Sequence, residues 1–140
     1  MKQHTHRFTV RTSGKGLVAI THPVTDWVAQ TGLTTGLLTI WCPHTSCSLT
    51  VQENADPTVQ EDIARFFEAL VPEQGGRYIH SSEGPDDMPA HLRTMLTQSG
   101  LSIPVIDGEP ALGTWQGLYL FEHRRAPHRR EIVLHLLGEE

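Results

Sequence analysis

The chain is poor in the residues that would settle its class outright. Only two cysteines occur in 140 residues, Cys42 and Cys47. That excludes a disulfide framework, and reduced thiols in a cytoplasmic setting are expected. No run comes near the roughly 18 apolar residues of a membrane span. The start, Met1-Lys2-Gln3-His4, lacks the apolar region of a signal peptide. Basic residues are also scarce: 11 Lys and Arg against 16 Asp and Glu give a net charge of -5. That balance disfavours a nucleic-acid partner, whose phosphates need a basic patch. The one basic cluster, Arg124, Arg125, His128, Arg129 and Arg130, suits a small anion instead. With 38% hydrophobic and 19% charged residues the composition is that of an ordinary globular protein rather than a disordered one. No repeat, low-complexity tract or linker interrupts it, so residues 1–140 read as a single domain with one core.

Several segments carry a clear period. Alternation over residues 5–11, with Phe8 and Val10 on one face, predicts a strand. A glycine turn at 13–16 leads to a second strand at 17–20, so an opening hairpin is the simplest arrangement. Residues 22–31 predict a short helix: Pro23 suits its first turn, Val24, Trp27 and Val28 fall at helical spacing, and Gly32 stops it. Residues 36–42 are apolar apart from Thr39, the pattern of a strand buried on both faces. Residues 48–52 form its expected antiparallel neighbour after a tight connection. Asp56 caps a helix that has Pro57 at its first position and an apolar face of Val59, Ile63, Phe66, Phe67 and Leu70. Residues 77–82 read as a short extended piece. Asp86 or Asp87 then caps a helix over 88–98, with Met88, Leu92, Met95 and Leu96 inward. Strands at 101–106, 115–122 and 130–137 follow, the first ending in an Asp107-Gly108 turn. The sum is an α+β domain of seven or eight mostly antiparallel strands and about three helices.

Chemistry concentrates in the stretch from His44 to Pro57. It sets a histidine, four hydroxyls, a thiol, two amides and two carboxylates beside core-forming sequence. Nine histidines is many for this length. His91 shares a helical face with Met88 and Met95, so it should border the core and need partners for its ring nitrogens. One reading is that His44, His80 and His91 converge on a divalent cation, since three imidazoles and a water form an open zinc site. The other is that each is separately hydrogen-bonded, because their spacing matches no metal motif. Glu53, Glu122 and Asp87 are the acid/base candidates. Asp56 and one of Asp86 and Asp87 are the expected caps, whereas Glu53 has no capping task at its spacing. Glu122 could equally pair with the arginine loop. Cys47 reads as a small core residue rather than a nucleophile. Ser46, Asn54, Trp115, Gln116, Arg129 and Arg130 are candidate substrate-binding groups: hydroxyl, amides, an indole for stacking and forked donors for phosphate.

Taken together, 44–57, Glu83-Gly84-Pro85-Asp86-Asp87-Met88-Pro89-Ala90-His91, Leu112-Gly113-Thr114-Trp115-Gln116-Gly117, Glu122-His123-Arg124 and Gly138-Glu139 resemble the YjbQ family, also described as secondary thiamine-phosphate synthase. The resemblance spans nearly the whole chain. It implies an α+β fold with a large β-sandwich-like sheet, a homotrimer, and a histidine-lined zinc site carried over here to His44, His80 and His91. It also implies weak thiamine-phosphate synthesis, in which a pyrimidine diphosphate and a thiazole phosphate are joined with loss of pyrophosphate. The alternatives are a metal- or phosphorylated-metabolite-binding protein without catalysis, and a metal-dependent hydrolase.

Overall fold

A computed structural model describes residues 1–140. In chain order its elements are β1 (Lys2–Thr12), β2 (Gly16–Ala19), α1 (Thr21–Thr31), β3 (Thr35–Trp41), β4 (Cys47–Glu53), α2 (Pro57–Leu70), α3 (Asp87–Leu96), β5 (Gly100–Ile106), β6 (Glu109–Pro110), β7 (Gln116–Glu122) and β8 (His128–Glu139). They build two antiparallel sheets, one ordered β1-β8-β3-β5-β6 and the other β2-β7-β4. The expected α+β sandwich with three helices is therefore what forms.

The alternation of strand side chains decides the layers. On β8, Arg130, Ile132, Leu134 and Leu136 point inward and are buried. The last three meet Leu38 and Ile40 of β3, Ile103 and Val105 of β5, and Leu118 and Leu120 of β7 in one core. Helix α1 adds Val24 and Val28 to it, and ends at Gly32 in the left-handed conformation, as predicted. Strand β7 is buried on both faces, as the middle of its sheet. Its other face carries Tyr119 and Phe121, with His123 just beyond the strand against Phe121, and Phe121 meets Phe67 of α2 edge-to-face. Gly36 and Gly138 face each other across β3 and β8, and a Cβ on Gly36 would come 2.3 Å from the Leu137 carbonyl.

Five expectations are corrected. β1 and β2 do not form a hairpin: β1 pairs with β8 and β2 with β7, in different sheets. β3 and β4 likewise part company at the 42–47 turn. In a sandwich, short connections cross between layers, and nearness along the chain does not choose the partner. Strand β3 is buried on one face only, since Leu37 and Trp41 are about half exposed at 49% and 50%. Residues 77–82 form no strand, and α3 turns Ala90 and Arg93 inward while Met95 and Leu96 are exposed. No helix is long and apolar enough to cross a membrane.

Candidate metal centre

The first turn of α3 meets the loop before it and the loop after β7. Asp87, its first residue, is buried, and its carboxylate lies at the centre of three contacts. Oδ2 accepts from His80 Nε2 at 2.7 Å and lies 3.3 Å from His91 Nε2, while Oδ1 accepts from Arg124 at 2.8 Å. His91 reaches Asp87 because i and i+4 share a helix face. The ligand atoms of His80, Asp87 and His91 all lie within 4.8 Å of one another. The two imidazoles, centroids 5.5 Å apart, converge on one carboxylate.

Surrounding groups fix this arrangement. His91 Nδ1 donates to the Thr45 carbonyl at 2.8 Å, because a carbonyl can only accept. In the neutral ring Nε2 therefore carries the lone pair, and that lone pair faces the carboxylate. Arg124 uses its fork on three acceptors: Asp86 at 3.0 Å, Asp87 at 2.8 Å and the Glu83 carbonyl at 2.8 Å. Burial pushes the Asp87 carboxyl up. The His80 hydrogen bond and the charges of His91 and Arg124 outweigh that and hold it below its ordinary value, so it stays ionised. A lone pair aimed at an anion is unfavourable unless a proton or a cation lies between. Two imidazole nitrogens and a carboxylate oxygen, His91 oriented by the Thr45 carbonyl and Asp87 by Arg124, form a donor set that suits a divalent transition metal.

His44 does not join this group. Its Nε2 accepts from the Glu131 backbone N–H at 2.9 Å, because the turn after β3 directs the ring towards β8. Burial, then the Arg130 charge, lower its pKa. The three-histidine set is thus replaced by His80, Asp87 and His91. Asp86 and Asp87 do not cap α3 with their side chains either, since both carboxylates go to Arg124. Asp56 does cap α2, accepting from the Thr58 backbone at 2.9 Å.

The two remaining carboxylates are structural. Glu53 accepts from the Ala55 and Asp56 backbones at 3.0 and 2.9 Å and braces the turn into α2, the task its spacing had seemed to deny it. Glu122 is wholly buried. Its oxygens take Arg130 Nε at 2.8 Å, Arg130 NH2 at 2.5 Å, Thr12 Oγ1 at 2.6 Å, and the backbones of His123 and Arg124. Burial raises its carboxyl, but the hydrogen bonds of Arg130 and Thr12 prevail and keep it ionised. With its lone pairs taken, it has no capacity left for a substrate proton. Cys42 and Cys47 are both buried, with sulfurs 3.3 Å apart. The Cys42 contact and burial push the Cys47 thiol up, which argues against a nucleophile.

The candidate binding residues fall into two places. Arg130 also donates to Ser46 Oγ at 3.0 Å, so that pair is spent on the buried network. Arg129 is exposed, makes no ion pair, and shares a recess of about 200 Å³ with Arg11, Thr12 and His128. Asn54, Trp115 and Gln116 gather at the other end of β7. There Asn54 Nδ2 donates to the Thr114 carbonyl at 3.3 Å, and Gln116 accepts from the Gly113 N–H at 2.8 Å. Seven residues of strand separate that end from Glu122, roughly 20 Å at strand rise. One chain therefore does not bring Trp115 and Gln116 to Asp87. Three residues escaped sequence reasoning: the orienting Thr45 carbonyl, the buried Arg93 and the buried His123. A backbone carbonyl leaves no sequence signal, and a buried arginine on α3 looks like any surface arginine until its neighbours are known.

The model of the family described as UPF0047 protein YjbQ-like matches residues 6–139. UPF0047 protein sll1880 of Synechocystis is 49% identical over 138 residues, covering 99% of this chain and 94% of its own. UPF0047 protein YjbQ of Escherichia coli is 40% identical over 132 residues, 94% of this chain and 95% of its own. Among solved structures, a hypothetical protein of Aeropyrum pernix superposes with a TM-score of 0.88 at 34% identity, over 97% of this chain and 99% of its own. An uncharacterized conserved protein of the YjbQ/UPF0047 family from Clostridium acetobutylicum gives 0.86 at 32% identity, over 94% and 99%.

Proposed function

The chain belongs to the YjbQ/UPF0047 family, and we propose that His80, Asp87 and His91 hold a divalent metal, zinc foremost, that engages a phosphorylated small molecule. One observation supports this above the rest: His91 Nδ1 is committed to the Thr45 carbonyl, which turns Nε2 towards the ionised Asp87, so that a proton or a metal ion must lie between them. Tetrahedral zinc with bonds of about 2.0–2.1 Å holds its ligand atoms about 3.3 Å apart; His91 Nε2 and Asp87 Oδ2 stand at 3.3 Å, and the 2.7 Å hydrogen bond of His80 to the same oxygen would lengthen around an ion. A bound ion of this kind supplies Lewis acidity towards phosphate oxygens or a water. Arg124 keeps Asp87 aimed and ionised. Arg129, free of carboxylates, takes a phosphate.

Thiamine-phosphate synthesis is the specific reaction this reading accommodates. The thiazole nitrogen forms a C–N bond to the pyrimidine methylene, the C–O bond to the diphosphate breaks, and pyrophosphate leaves. No strong base is needed, which agrees with Glu122 and Glu53 being committed elsewhere. The same commitment favours the second reading, a binding protein for a phosphorylated metabolite without turnover. A cytoplasmic setting suits both, since Cys42 and Cys47 stay reduced there.

Calorimetric titration of metal-free protein with zinc tests the site. One zinc per chain is expected, with Asp87→Asn and His91→Ala weakening it by about 100-fold or more and Arg124→Met by about 10–100-fold. His44→Ala should bind as the wild type does. Loss of zinc in His44→Ala with retention in His91→Ala would overturn the assignment.

A homotrimer is proposed as the working form. Its basis is the outer face of the five-stranded sheet, where Leu37, Trp41, Ile106 and Leu137 are 41–57% exposed. Light scattering should give three chains per particle for the wild type and one for Trp41→Glu. A monomeric wild type would remove the proposal.

A further inference from the structure

Helix α2 is the most amphipathic of the three helices, yet it buries no residue. Its Ile63 and Phe67 stand over Leu17 and Phe121 with a recess of about 390 Å³ between helix and sheet. A second recess of about 190 Å³ continues from it, lined by the same four side chains and closed by Thr50, Gln52 and Thr97. Protein interiors pack with few voids larger than a water molecule, and an apolar helix face laid on a sheet ordinarily closes such a gap.

The mouth is charged. Lys15 and Arg93 line it, both partnered by Glu68, at 3.4 Å in the case of Arg93, and Lys15 also pairs with Glu73 at 2.9 Å. Arg93 is only 3% exposed. Its NH2 donates to the Val71 carbonyl at 3.0 Å and, more weakly, to Phe67, but its Nε has no hydrogen-bond partner within the chain. A buried guanidinium N–H without an acceptor is costly, and an anion at that point relieves the cost. Glu68 is half exposed on α2, so it can swing into solvent and leave Arg93 to an incoming anion; Lys15 keeps its pairing with Glu73 at 2.9 Å and turns the N–H released by Glu68 to the same anion. The apolar walls match a ring or branched chain, in a volume within the range of small-molecule sites.

From this we infer that the cleft between α2 and the three-stranded sheet binds a small amphipathic anion. Its apolar body lies against Phe67 and Phe121, and its one carboxylate, sulfonate or phosphate group sits on Arg93 and Lys15. The proposal is independent of the metal centre, which uses other residues.

Two dyes test it on the full chain: anionic 8-anilinonaphthalene-1-sulfonate and its neutral analogue N-phenyl-1-naphthylamine, each followed by fluorescence titration. The anionic dye should saturate at one per chain. Ala64→Trp places a bulky ring at the cleft and should weaken both dyes by roughly tenfold or more. Lys15→Glu should weaken the anionic dye by roughly tenfold and leave the neutral one within about twofold. Met95→Glu, on the exposed apolar surface of α3, should change neither. The inference fails if Ala64→Trp binds like the wild type, if Met95→Glu abolishes binding, or if Lys15→Glu weakens both dyes equally. Circular dichroism of each variant separates loss of the cleft from loss of the fold. Should Ala64→Trp misfold, the dye contrast in Lys15→Glu still decides.

Discussion

Glu122→Gln should be the most damaging conservative substitution in the chain, lowering stability by roughly 3–5 kcal/mol. Glutamine keeps the shape but removes the charge. Arg130 is 5% exposed and would remain a cation with no anion in reach. Burying an unpaired charge is far costlier than the pair's net contribution is large, because desolvation is no longer offset. Glutamine also turns one carboxylate acceptor into a donor that faces the donors of Arg130 and Thr12. Chemical denaturation should show the loss, and melting should fall by about 10 °C for a domain of this size. Arg130→Met in the same background should recover part of the loss, because it removes the orphaned cation. If Glu122→Gln melts within a degree or two of wild type, the network is not the clasp described here.

The second large effect is acid sensitivity carried by His123. Burial, then the charge of Arg93, lower its pKa to about 3 from an ordinary value of 6.5. Ser48 lies 2.9 Å from Nε2, and Nδ1 has no partner. The unfolded chain takes up a proton at this ring below about pH 6.5, and the folded chain resists it until about pH 3. Stability is therefore complete above pH 6.5 and declines as pH falls through the interval down to about 3. At pH 5 the loss from this one ring is about 2 kcal/mol. Asp86, Asp87 and Glu122 are held low in the folded state, so their share disappears only at lower pH, below their ordinary values of 3.8 and 4.5. Unfolding free energies at pH 7 and pH 5 should differ by that amount less in His123→Phe than in wild type. Equal pH dependence in the two proteins would contradict the burial argument. His44, also held low, adds a smaller slope of the same sign to both.

Much of this was legible in the order of residues, and the misses share one cause. Helix α2, its Asp56 cap and the Gly32 stop are local features, written within a few residues of where they act. Of the proposed metal ligands, His91 stood out by the helical face it shares with Met88 and Met95, His80 by the abundance of histidines, and Asp87 by its place before a helix. What could not be read was long-range choice. Asp86 and Asp87 sat where caps belong, but Arg124, 38 and 37 residues later, claimed both carboxylates. His44 stood beside His80 and His91 as a candidate ligand, yet the Glu131 N–H, 87 residues away, holds its ring. Strand β3 reads as doubly buried because its outward Leu37 and Trp41 are apolar. A face that another copy of the chain covers carries the same sequence signal as one covered from within. Arg93 and His123 gave no signal because a buried charged or titratable group is defined by what surrounds it.

Anomalous diffraction at the zinc edge from crystals grown with one equivalent of zinc tests the central claim most directly. The account predicts a single strong peak per chain, bonded to His80 Nε2, Asp87 Oδ2 and His91 Nε2, with the His91 Nδ1–Thr45 hydrogen bond intact. A peak on His44, or none at Asp87 with the metal present in solution, would contradict it.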